Sequence, residues 1–191
     1  MKTFDTLEFF PTLFYEFTWT EDEIRPLLEE MKEKKVEIKI QSNSDSRTDD
    51  YWTDYTLPVK LLEYEKLIEK VSTAFFPKLQ CSHIVHWTAI YGEKGYHATH
   101  NHNAGLFELI DPNMSTILYL SDIGGTQFRN PYQSDQIHSV LEMPSKVGKM
   151  IMFPSHILHT APPHGIKNEE RIIISSNWRV QEIFPGSFYN E

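Results

Sequence analysis

The sequence predicts an α+β fold in which two helices brace a β-sandwich or barrel. Two observations predict it. Before Lys78, apolar residues recur at helical spacing in two segments. After Lys78, short runs rich in β-branched and aromatic residues are separated by Gly, Pro and Asn clusters. The 191 residues, 40% hydrophobic and 13% aromatic, suffice for one domain, 1–191, with a genuine core.

Residues 1–19 read as an extended entry with alternating aromatics, Phe9, Phe10, Phe14, Tyr15, Phe17 and Trp19. Thr20 followed by Glu23 has the pattern of a capping box. Ile24, Leu27, Leu28 and Met31 then supply a helical stripe that is expected to end near Lys32–Lys35. The polar run QSNSDSRTDD (41–50) marks a loop. A second helix is expected from Val59 to Phe75, with Leu61, Leu62, Tyr64, Leu67, Ile68 and Val71 on its apolar side. Helical support thus covers about 20–78. Five strands are predicted after it: HIVHWTAIY (83–91), STILYL (115–120), GTQFR (125–129), KMIMF (149–153) and RIIISSNWRV (171–180). Helices followed by a run of strands give the α+β arrangement.

Composition excludes several classes. No apolar stretch approaches the roughly 20 residues that cross a bilayer, and MKTFDTLEFF lacks a signal peptide's basic start. No membrane partner is therefore expected, and the cytoplasm is the expected compartment. The single cysteine, Cys81, rules out an internal disulfide framework and a cysteine-based zinc site. A net charge of −9 argues against a broad nucleic-acid surface, although a locally basic groove remains compatible with it. A protein or small-molecule substrate fits better. Nothing in the sequence sets the oligomeric state.

The functional signal lies in the second half. His100 and His102 form an H-x-H pair, His159 follows far along the chain in FPSHILHTAPP, and Arg171 opens an apolar run. On a strand, side chains at i and i+2 share a face, so His100 and His102 can converge on one ion. His159 on a distant strand would complete one face of an octahedron and leave three positions open. The usual facial triad has two histidines and a carboxylate, whereas here the middle position is His102. His97 reads as a nearby polar group or, second to that, an alternative ligand, and Glu108 and Asp111, both ranked below His102, are close enough in sequence to stand in for it. The remaining histidines, His83, His86, His138, His156 and His164 among them, read as background.

Arg171 precedes three isoleucines, so it enters a buried wall and needs a partner there. Its planar fork suits the far carboxylate of a 2-oxo acid. The competing assignment is a surface pair with Glu169 or Glu170. Tyr119 could donate to the same carboxylate, or serve only as a core tyrosine. Tyr51, Trp52 and Tyr55 in segment 41–58 suit either a lid over the site or a surface turn with its aromatics folded inward.

From about Cys81 to Val180 the chain resembles the Fe(II)/2-oxoglutarate-dependent oxygenases, within them those often found in phage and marine bacterial genomes, and it is also similar to their prolyl-hydroxylase branch. The resemblance rests on HWTAIY, KGYHATHNHN, STILYL, GGTQFRNP, VGKMIMFPSHILHTAPPH and RIIISSN, in that order. It implies a double-stranded β-helix (jelly roll) core over about 81–180, braced by the N-terminal helices. It further implies Fe(II) on His100, His102 and His159, 2-oxoglutarate held by Arg171 with Tyr119, and Asn177 lining the site. O2 would be the second co-substrate. The primary substrate is not implied, nor is hydroxylation rather than another oxidative outcome. The insert NAGLFELIDPNM and the histidine in place of the carboxylate depart from the family's pattern. Two other classes compete with a 2-oxoglutarate hydroxylase. One is a cupin-type metalloenzyme, in which Arg171 has no role. The other is a non-enzymatic β-sandwich binding module, which binds neither metal nor 2-oxoglutarate.

Overall fold

The first helix, α1 (Glu21–Gln41), starts where the capping box places it. The Thr20 N–H donates to Glu23 Oε2 at 3.0 Å, and the Glu23 N–H returns a 3.4 Å bond to Thr20 Oγ1. The helix runs past Lys32–Lys35, where the sequence reading ends it. Lysine and glutamate are good helix formers, and the apolar stripe continues to a fully buried Ile38. Lys35 and Lys39 also fold down onto Glu170. The second helix, α2 (Leu62–Ala74), is shorter than the expected 59–75. Leu61 offers no capping side chain, so Glu30 of α1 does the work. It accepts the Leu62 and Glu63 N–H groups at 2.7 and 2.9 Å. Leu62, expected on the apolar side, is exposed, while Tyr64, Leu67 and Val71 face inward.

This computed structural model describes residues 12, 14–42, 50–75, 78–102, 112–130 and 140–182. Glu108, Asp111, His138, residues 43–49 of the polar loop and most of the aromatic entry lie outside them. Ten strands are present among the described residues: β1 (Tyr15–Thr18), β2 (Tyr51–Thr53), β3 (Leu79–Tyr91), β4 (His97–His100), β5 (Met114–Tyr119), β6 (Gly125–Arg129), β7 (Val140–Pro144), β8 (Lys149–Pro154), β9 (His159–Ala161) and β10 (Arg171–Glu182). They form two sheets, β1-β8-β5-β10-β3-β2 and β4-β9-β6-β7, with every pairing antiparallel. From β3 to β10 the chain passes back and forth between the sheets, which is the path of an eight-stranded jelly roll. The strands β1 and β2 extend the larger sheet at its two edges. Because β2 is paired to β3, Tyr51 and Trp52 are sheet residues turned inward rather than a free lid.

The larger sheet is buried on both faces, which explains its unbroken apolar runs. Ile90, Leu118, Met150, Met152, Ile174 and Trp178 pack under α1 and α2. Alternate neighbours such as Ala89, Ile117, Tyr119, Ile151 and Ile173 fill the interior of the roll. Asp54 locks β2 and the segment before α2 onto β3. Its buried carboxylate accepts the Thr88 N–H at 2.6 Å and the Val59 N–H at 2.7 Å. Among the described residues no helix is long and apolar enough to cross a membrane.

Candidate metal centre and anion pocket

Three histidines from three places meet at one end of the roll. His100 closes β4, His102 lies two residues past it, and His159 opens β9 directly opposite His100. His102 is outside the strand, so strand pairing does not aim it. Its N–H donates to the Ser155 carbonyl at 2.9 Å, which fixes the backbone instead. One potential ligand atom from each ring lies within 4.8 Å of the others. His100 Nε2 and His102 Nε2 are 3.3 Å apart.

The opposite ring nitrogens are all engaged. His100 Nδ1–H donates to the Ala98 carbonyl at 2.8 Å, and His159 Nδ1–H to the Ile157 carbonyl at 3.0 Å. His102 Nδ1 meets Asn177 Oδ1 and Ser115 Oγ, both at 2.9 Å, and Ser115 bonds Ser155 at 2.8 Å. With Nδ1 carrying the proton, each Nε2 presents a lone pair, the state that a metal-binding imidazole requires. Burial holds the rings neutral. It pushes His102 down to about 4 and His159 to about 2, with the neighbouring His100 adding to both. His100 is lowered by the same cause. His97, stacked on His100 at 3.9 Å, is pushed to about 3, again mainly by burial.

These shifts predict a pH dependence of the metal-free protein. In the unfolded chain the imidazoles take up protons near about pH 6.5, while the folded state refuses them until far lower pH. Stability should therefore fall as the pH drops below about 6.5, because the unfolded state then binds more protons. His83, lowered to about 4, and His86 contribute too, since burial disfavours their charge and each buried Nε2 lacks a partner. A melting temperature that stays flat between about pH 7 and pH 5, above the carboxylate range, would show that these rings are solvated.

Arg171 is the first residue of β10 and is 1% exposed. It points inward, whereas Glu170 next to it turns out to Lys35 and Lys39, so the surface pairing with Glu170 does not occur. One terminal nitrogen, Nη1, donates to the Gly125 and Pro162 carbonyls at 3.1 and 3.0 Å. The guanidinium carbon stands 4.2 Å from the centre of the Tyr91 ring. Nε and Nη2, which form one edge of the fork, are buried with no partner among the described residues. That edge is the one a carboxylate would grip with two parallel bonds. Gly124, at φ 68°, makes room for the group, because a Cβ there would sit 2.8 Å from Nη1.

A narrow interior cavity lies below the imidazoles. Its wall includes His100, His159, Thr126, Tyr91, Ile173 and Ser175. The Tyr119 hydroxyl is buried and donates to Thr126 Oγ1 at 2.9 Å, so Thr126 is the hydroxyl on the cavity wall. Asn177 supports His102 and also borders the outer cleft above the three rings. Sequence reading missed Thr126, Tyr91 and Ser175, and it gave His97 no more than a secondary place. Tyr91 carried a usable signal: Trp87, Ala89 and Tyr91 alternate on β3, so placing one inward places all three.

No protein-family model and no curated protein matches the chain. Solved structures do match its fold. A Pseudomonas putida prolyl-4-hydroxylase is similar over 87% of this chain and 91% of its own, at 15% identity and a TM-score of 0.59. The non-heme alpha-ketoglutarate-dependent carbocyclase SnoK from nogalamycin biosynthesis is similar over 86% and 78%, at 11% identity and a TM-score of 0.63. HygX from Streptomyces hygroscopicus, solved with nickel, 2-oxoglutarate and hygromycin B bound, covers 87% and 82% at 10% identity and a TM-score of 0.60. The chain therefore has the jelly-roll fold of the 2-oxoglutarate-dependent oxygenases. At these identities the likeness defines the architecture, and the chemistry is argued from the site.

Proposed function

We propose that the protein is an Fe(II)- and 2-oxoglutarate-dependent dioxygenase, a hydroxylase of a protein or small-molecule substrate. One observation carries the reading: three neutral imidazoles converge at one end of a cavity whose wall also holds Tyr91, the ring under a buried arginine with an unpaired fork edge. His100, His102 and His159 would hold the iron. The donor set fits, since imidazole suits iron and Nδ1 of each ring is engaged elsewhere, which leaves Nε2 for the metal. Arg171 would bind the far carboxylate of 2-oxoglutarate, assisted by the Thr126 hydroxyl that Tyr119 orients. Asn177, Ser115 and Ser155 keep the His102 ring in place. Bound there, iron and 2-oxoglutarate would together supply the oxidising power for O2 activation, with succinate and CO2 as by-products.

Three neutral ligands leave the centre one charge more positive than a triad containing a carboxylate. That favours binding of a dianionic co-substrate. The fold neighbours support the reading, since HygX was solved with nickel and 2-oxoglutarate and a viral collagen prolyl hydroxylase as its 2OG complex. A cupin-type enzyme would leave the buried Arg171 without a role, and a binding module would leave the histidine cluster without one. The test is spectroscopic. Anaerobic Fe(II) with 2-oxoglutarate should give a weak visible charge-transfer band that Arg171→Ala loses. If no band forms and the two proteins behave alike, the assignment fails. Retention of metal with indifference to 2-oxoglutarate would point to the cupin class.

A further inference from the structure

Above the three imidazoles the site opens into a cleft of about 350 Å³. That is at the low end of the roughly 300–1,000 Å³ that small-molecule sites occupy. Its wall is aromatic on one side. Tyr55 stands edge-on to Trp87 with centroids 5.0 Å apart, and Trp87 in turn lies 5.3 Å from His102. Tyr55 is a large aromatic left 62% exposed, although no described element covers it. Among the described residues, no lining side chain carries a formal charge, and polar groups come from Thr53, Asn101, Asn177, the histidines and the tips of Tyr51, Tyr55 and Trp87.

His97 has a distinct place in this cleft. It borders both the outer cleft and the inner cavity, so it stands at the passage between them. The ring is fixed from two sides, stacked on His100 at 3.9 Å and facing Tyr51 at 5.6 Å. Thr160 Oγ1 donates to its backbone carbonyl at 2.6 Å and pins the strand. Yet among the described residues neither ring nitrogen has a hydrogen-bond partner. A neutral imidazole offers one donor and one acceptor, and here both are oriented by packing and left for a ligand.

We infer that the primary substrate is a small, uncharged molecule whose flat ring lies against Trp87 and Tyr55 and whose hydrogen-bonding edge is held by His97. This deepens the oxygenase reading and rests on it for the reaction, though the binding it describes can be tested separately. A flat ring gains from edge and face contacts with the two aromatics. Among the described residues the cleft offers a charged substrate no charged side chain to replace its hydration. His97 then selects substrates by the polar edge they present, and it places the ring beside the metal face.

Benzamide, benzoate and benzamidinium make a matched set of neutral, anionic and cationic probes. Their binding to Zn(II)-loaded protein, with 2-oxoglutarate present to fill Arg171, is read by ligand-observed NMR at millimolar concentration. Benzamide should bind about tenfold more tightly than either charged probe, and His97→Ala and Trp87→Leu should each weaken it about tenfold. His97→Gln, which keeps a donor and an acceptor, should stay within about threefold of wild type. Equal binding of all three probes, no binding of benzamide, or wild-type affinity in His97→Ala would each overturn the inference. The Fe(II) charge-transfer band of the wild-type protein separates the two readings. Its absence sinks the oxygenase assignment, whereas the probe series judges the cleft.

Discussion

Replacement of Arg171 by leucine is expected to leave the empty protein about as stable as wild type while lowering its affinity for 2-oxoglutarate by orders of magnitude. The two effects separate because of how the guanidinium is buried. It is desolvated, and among the described residues Nη1 alone is bonded, to the Gly125 and Pro162 carbonyls, while Nε and Nη2 have no partner there. A buried charge in that condition contributes little net stability, and an apolar residue of similar volume is often tolerated or better. Against this stands the loss of a donor to the two carbonyls, about 1–3 kcal/mol for each that is left without a partner. Removing one member of a desolvated, bidentate charge pair costs about 2–5 kcal/mol of binding, or roughly 30-fold to several thousandfold in Kd. Thermal shift measures both quantities at once. Wild type should melt at higher temperature as 2-oxoglutarate is added, and Arg171→Leu should not. A variant that still responds to 2-oxoglutarate as wild type does would show that the anion sits elsewhere.

His159→Ala should abolish tight metal binding, and Asn177→Ala should weaken it without abolishing it. His159 is 4% exposed and contributes one of the three lone pairs that converge among the described residues. With two imidazoles left, affinity should fall by more than the roughly 10–100-fold that loss of an outer partner costs. Asn177→Ala frees His102 Nδ1 from one of its two partners and should fall inside that range, since Ser115 remains. Titration with Fe(II) under nitrogen, or with Ni(II) in air, measures the order. Equal affinities in wild type and His159→Ala would remove this histidine from the centre.

Much of this arrangement was legible because it is written in local chemistry. The runs in β3, β5, β8 and β10 are long and β-branched, so strand propensity and burial agree there. The short strands β4, β7 and β9 were not legible. They are three to five residues long; β4 and β9 carry histidines, β7 is mostly exposed and ends in Pro144, and all three are held by the sheet they join rather than by their own preference. The lysine cluster in α1 looked like a terminus because its partner, Glu170, is far away in sequence. In the site, His100, His102 and His159 do come together, but not by the strand alternation expected to aim the pair: His102 lies past the end of β4 and is held by the Ser155 carbonyl. The inward turn of Arg171 follows from the alternation that buries Ile173. The support of His102 by Ser115 and Ser155, and the place of Thr126 on the cavity wall, depend on which strands become neighbours. No single-chain pattern announces that.

Arg171, Ile173, Ser175 and Asn177 occupy one side of β10, so a single strand carries the guanidinium at one end and the amide that steadies His102 at the other. Both are thereby tied to one parity. Deleting any one residue between them would swing one of the two toward the helices, whichever part of the strand keeps its pairing. Drift in this stretch can therefore exchange side chains but not lengths, and any descendant that has lost a residue there should have lost half of the machinery with it.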